Sequence, residues 1–112
     1  MFSSIVVVAD THLKHLRGRK NLKEYTQSKT VETGVNMSNY FCATCGSLMY
    51  RISERMPGVS LLRLGTVDDF SLHETKLMPK TEIFTKDRVS WCKALEGAVQ
   101  FKGNSSVAQA ML

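Results

Sequence analysis

Apolar, β-branched and aromatic residues fall in short runs along this chain, separated by Gly, Asn, Asp and Pro. That spacing predicts strands joined by turns. Ile5-Val6-Val7-Val8-Ala9 is continuously apolar and predicts a buried strand. Leu22–Gln27 sets Leu22, Glu24 and Thr26 against Lys23, Tyr25 and Gln27, the alternation of a strand with one wet face. Between them, residues 10–20 are polar and Gly18 marks a turn. Residues 35–41 lead into the segment Cys42-Ala43-Thr44-Cys45-Gly46, and residues 48–52 lead out of it. Met56-Pro57-Gly58 predicts a turn, followed by an apolar strand over residues 59–64. Residues 66–74 are polar enough to hold only a helical turn. A short strand is expected over residues 82–84, a turn at Lys86-Asp87-Arg88, and packing of residues 89–91 back on the sheet. Residues 104–112 are expected to fray, or to form a loose helix over 107–112. No stretch keeps a long helical period, and there is no repeat or heptad. The expected fold is mainly β, with short helical turns at most.

Composition narrows this little. With 112 residues, 43% hydrophobic and 22% charged, the chain fits one domain, taken as residues 1–103. A core of this size is small, so a bound metal or a partner subunit matters to stability. The net charge is +5 and the pI about 9.3. The basic residues Lys14, Arg17, Arg19, Lys20 and Lys23 cluster early. They read as a solvated loop, and without interleaved aromatic residues a nucleic-acid partner is disfavoured. The apolar run at Ile5 is too short for a membrane span or a signal segment. Three cysteines, Cys42, Cys45 and Cys92, do not make a secreted disulfide framework. A reducing setting is therefore expected, cytoplasmic first and nuclear second.

The chemistry lies in Phe41-Cys42-Ala43-Thr44-Cys45-Gly46. Two thiolates three residues apart can grip one tetrahedral ion at about 2.3 Å each. Gly46 permits the positive φ that folds amides toward the sulfurs. This is a zinc-knuckle pattern, and Cys42 and Cys45 are the candidate metal ligands. A redox dithiol would want a helix after the second cysteine, whereas residues 46–50 read as a strand. Two metal-free structural thiols are the bland alternative. A closed zinc site needs four ligands. Cys92 reads as a small buried hydrophobe, and His12, His15 and His73 as surface histidines. Asp68 and Asp69 read as a turn that caps a short helix. Glu82, Lys86 and Arg88 read as strand-end charges.

Three blocks in order resemble one family: residues 41–50 (FCATCGSLMY), residues 64–69 (LGTVDD) and residues 82–91 (EIFTKDRVSW). They resemble the glutathione-dependent formaldehyde-activating enzymes and their centromere protein V relatives, most closely in a fungal type. The resemblance runs from about Phe2 to Gly103. It implies an Mss4-like β-tent of short antiparallel strands with a zinc-knuckle hairpin. It also implies zinc, and carbon–sulfur lyase chemistry on S-hydroxymethylglutathione, the adduct of glutathione and formaldehyde. In such members the knuckle cysteines hold a structural zinc together with an upstream C-x-C pair. A separate upstream C-x-C-x-x-C segment holds a catalytic zinc. Here no cysteine precedes Cys42. The chain is accordingly expected to correspond to an N-terminally shortened domain with impaired catalysis. Glutathione or its adduct is the implied ligand. A homodimer is expected through an exposed sheet edge or through one zinc shared by two knuckles. The alternative is a basic, non-catalytic, zinc-ribbon-like binding module.

Overall fold

A computed structural model describes residues 2–104, and these contain seven strands and five single 3-10 turns. The helix expected over 107–112, like the tail beyond residue 104, lies outside the described residues. The chain divides into two compact units, residues 5–66 and residues 67–104 with 2–4.

The first unit is one antiparallel sheet of β1 (Ile5–Ala9), β2 (Leu22–Gln27), β3 (Met37–Cys42), β4 (Leu48–Ser53) and β5 (Val59–Arg63). Their order in space is β1-β5-β4-β3-β2. Each strand lies within a residue or two of its expected bounds. Gly58, at φ +81°, ends the turn before β5 in the left-handed region that glycine adopts without strain. β1 departs from expectation. It was read as buried, but it is an outer strand pairing only with β5, and Ile5 is 37% exposed. A continuous apolar run states that a strand forms, not how many neighbours it has.

The core of this sheet is thin. Tyr50, Val59, Leu61 and Leu64 are the buried apolar side chains among the described residues, each 5–8% exposed. Two serines are buried with them, and each has a partner. Ser60 Oγ donates to Asp10 Oδ1 at 2.7 Å, and Ser53 Oγ accepts from the Arg55 amide at 3.2 Å. Burial of four side chains at roughly 1.5–3 kcal/mol each is modest against the conformational entropy of ordering a sheet. Small folds with such cores lean on a further staple.

The second unit holds β6 (Thr81–Glu82) and β7 (Val99–Gln100), paired in parallel. β6 is shorter than the expected strand over 82–84 because Phe84 turns into the left-handed region at φ 55° and opens a 3-10 turn, Thr85–Asp87. Residues 89–91 make no strand. The Cys92 amide closes a turn onto Val89, and Trp91 is 68% exposed. Asp69 caps the turn Phe70–Glu74, accepting from the Ser71 amide at 3.0 Å and the Ser71 hydroxyl at 2.6 Å. Asp68 is exposed. Glu82 joins both strands, accepting from Gln100 Nε2 at 2.6 Å, from the Leu95 amide at 2.9 Å and from Arg88 at 3.0 Å. Glu82 and Arg88 are thus internal ties, whereas Lys86 is exposed.

Candidate functional site

The β3–β4 hairpin carries the knuckle at its tip. The Cys42 amide donates to Ser47 O at 2.9 Å, and the Gly46 amide returns to Cys42 O at 2.8 Å. Gly46 makes this closure with φ +77°. Cys42 is half-buried and Cys45 exposed, and both are free thiols. Cys45 Sγ lies 3.2 Å from Ser47 Oγ. The Ser47 hydroxyl, then its amide, then the Cys42 thiol favour the thiolate and hold the Cys45 pKa below the ordinary thiol range. Asn21, just before β2, ties the knuckle down from the neighbouring strand. Its Nδ2 donates to Cys42 Sγ at 3.4 Å and to Thr44 Oγ1 at 3.0 Å, and its carbonyl accepts from the Ala43 amide at 2.8 Å. Nothing in the sequence pattern marked Asn21. Its place follows from the β2–β3 register, which sets Leu22 against Cys42.

The other candidate ligands go elsewhere. His12 Nδ1 meets its neighbour Thr11 Oγ1 at 3.1 Å. His15, expected at the surface, is half-buried, and its Nε2 meets the Tyr50 hydroxyl at 3.1 Å. His73 also departs from a surface reading. Its ring packs edge-on against Phe70 at 4.8 Å, and its Nε2 is buried without a hydrogen-bond partner. Cys92 is half-buried in the other unit. Among the described residues no group of three or more His, Cys, Asp or Glu side chains is placed to hold a metal ion. The thiols of the knuckle have the right chemistry for zinc, but they fit half of a four-ligand site.

Beside the knuckle the sheet presents a second feature. Register places Glu24, Tyr40, Tyr50 and Leu62 in one row across four strands. The Tyr40 and Tyr50 rings stack, with centroids 4.8 Å apart and planes 16° from parallel. Glu24, Tyr40 and Tyr50, together with Arg19 and Leu22, line a cleft of about 170 Å³. Gly18, at φ 78°, opens the turn that places Arg19 there. Burial, then the Glu24 carboxylate, raises the Tyr40 pKa. Burial raises that of Tyr50, with Arg19 opposing and the Asp10 and Glu24 carboxylates adding to the rise. Both phenols therefore stay protonated at neutral pH and act as hydrogen-bonding groups.

A family model for the glutathione-dependent formaldehyde-activating enzyme matches residues 1–87. The chain belongs to this family. The match takes in the knuckle, the cleft and the five-stranded sheet, and it ends inside the third sequence block, short of residue 103. The mainly β architecture agrees with the family's small Mss4-like fold. No curated protein matches the chain, and no solved structure does. No helix of the described residues is long and apolar enough to cross a membrane.

Proposed function

We propose that this family member binds zinc through its knuckle, recognises glutathione or the glutathione–formaldehyde adduct, and has impaired carbon–sulfur lyase turnover of its own. The observation that carries the reading is the paired thiols of Cys42 and Cys45 at a hairpin tip closed by Gly46 and braced by Asn21. In adduct formation the glutathione sulfur adds to the formaldehyde carbon, the carbonyl π pair moves to oxygen, and the thiol proton ends on that oxygen. Cleavage is the reverse. This chain's contribution is to hold the peptide, and its two thiols would hold a structural ion rather than a reacting one.

Completion of a four-thiolate site calls for two more ligands. We assign them to the knuckle of a second copy. The outer edge of β1 is a further surface on which a second copy would pair, because its five residues carry no charge to deter a neighbouring strand. A reducing, cytoplasmic setting would keep both thiols free for metal.

The test is zinc per chain measured with native mass, alongside turnover of the glutathione–formaldehyde adduct by NMR exchange, with a relative carrying the upstream cysteines as control. The expected result is a dimer with one zinc per two chains and turnover far below the control. One zinc per monomeric chain would rule out the shared site, and turnover equal to the control would rule out impairment.

A further inference from the structure

The cleft beside the knuckle carries charges of both signs. It is lined by one cation, Arg19, and one anion, Glu24, with two stacked tyrosines between the strands that carry them. Among the described residues the Arg19 side chain makes no hydrogen bond and no ion pair within 4 Å, while its carbonyl accepts from the Leu22 amide. The two charges therefore line the cleft without a direct ion pair between them. Thr26 Oγ1 donates to Glu24 Oε1 at 3.0 Å and the Tyr40 hydroxyl engages the same carboxylate, whose two oxygens keep further lone pairs for a ligand. A simple anion would meet Glu24, and a simple amine would meet Arg19. Each charge excludes what the other attracts. A ligand that carries an ammonium and a carboxylate on one carbon satisfies both. His15 holds the Tyr50 hydroxyl from the side, fixing the back of the cleft.

Size limits the ligand further. About 170 Å³ is well under the roughly 300–1,000 Å³ of pockets that enclose a whole drug-sized molecule. The cleft takes one end of a peptide, with the remainder outside. We propose that the Arg19–Glu24–Tyr40–Tyr50 cleft binds the α-amino-acid zwitterion at the γ-glutamyl end of glutathione. This rests on the reading that the chain recognises glutathione. Glutathione carries such a zwitterion only at that end, since its glycyl end is a bare carboxylate. The γ-glutamyl end is also remote from sulfur, so the same cleft accepts the peptide before and after the hydroxymethyl group is added. The cleft adjoins the knuckle through Leu22, which lines it and sits opposite Cys42.

An NMR titration of the full chain tests this with three probes: reduced glutathione, γ-glutamylglycine, and cysteinylglycine, which lacks the γ-glutamyl group. Arg19→Gln and Glu24→Gln are titrated in parallel. Both sites are exposed, and the glutamine at position 24 keeps an acceptor for Thr26. Glutathione and γ-glutamylglycine should shift the ring signals of Tyr40 and Tyr50, with cysteinylglycine at least about tenfold weaker. Each variant should raise Kd for the first two probes about tenfold, the effect of removing one charge-assisted contact. Glutathione binding with unchanged Kd in both variants, or cysteinylglycine binding as well as glutathione, would overturn the cleft and leave glutathione recognition standing. A response to γ-glutamylglycine without one to glutathione would overturn glutathione recognition and the proposal that rests on it, and leave a γ-glutamyl site for another ligand. Shifts elsewhere on adding glutathione with the tyrosines unmoved would overturn the cleft alone, and no shift of any signal with any probe would overturn both.

Discussion

Replacing Gly46 by alanine isolates what the knuckle asks of the backbone. Gly46 has φ +77°, and a Cβ built there meets nothing within 4 Å. The substitution thus adds no clash, only the cost of holding an L-residue in the left-handed region, about 1–2 kcal/mol. A stiffer unfolded chain offsets roughly 0.4–1 kcal/mol of that. The net loss should be about 1 kcal/mol, or about 4–8 °C in Tm for a domain of 60–100 residues. Asparagine tolerates this region better than alanine. Thermal and urea unfolding of the zinc-free protein, followed by circular dichroism, should rank Gly46 above Gly46→Asn above Gly46→Ala. Alanine as stable as glycine, or more stable than asparagine, would refute the idea that backbone conformation closes the knuckle.

Further outcomes follow from single contacts. Tyr50→Phe removes a hydroxyl held by His15 at 3.1 Å within a residue only 8% exposed, so unfolding should show a loss of about 0.5–1.5 kcal/mol with little change in the sheet's circular dichroism. Glu82 has its pKa lowered by the Gln100 amide first, then by the Leu95 N–H and Arg88. Its folded pKa lies below its unfolded value of about 4.3, so its stabilisation is present above that value and is lost as pH falls through the folded pKa. Acid unfolding of Glu82→Gln should accordingly show a flatter dependence on pH below about 4.3 than the wild type, and identical slopes would contradict the assignment.

How much of this was legible in the sequence varies by element. β2 and the knuckle hairpin were readable as elements because the Leu22–Gln27 pattern and the C-x2-C-G spacing are local signals, although β2 lies at a sheet edge with residues 23–26 exposed on both faces, where the alternation implies one wet face. The edge position of β1 was not readable, because its five apolar residues look the same at an edge as in the middle of a sheet. β7 escaped notice because Val99 and Gln100 carry no strand pattern and are placed by contacts with β6 and Glu82. The cleft was hidden for a different reason. Arg19 and Glu24 are near neighbours in the chain, but Tyr40 and Tyr50 lie on two later strands, and only the strand register brings them beside Glu24. Arg19 reads with the basic loop, whereas Glu24 reads as one position of an alternating strand. Cys42 and Cys45, by contrast, are singled out by spacing alone, and the structure sets both as free thiols at the hairpin tip with the Asn21 brace and the Ser47 contact that spacing does not encode.

The central claim is that the knuckle supplies two of the thiolates of a zinc site that a second copy completes. Zinc-edge X-ray absorption on the purified wild-type protein, with metal content and native mass from the same sample, tests it without a destabilising substitution. The account predicts four sulfur neighbours at about 2.3 Å and one zinc for every two chains in a dimer. Zinc bound by nitrogen or oxygen in place of sulfur, or one zinc in each monomer, would contradict it.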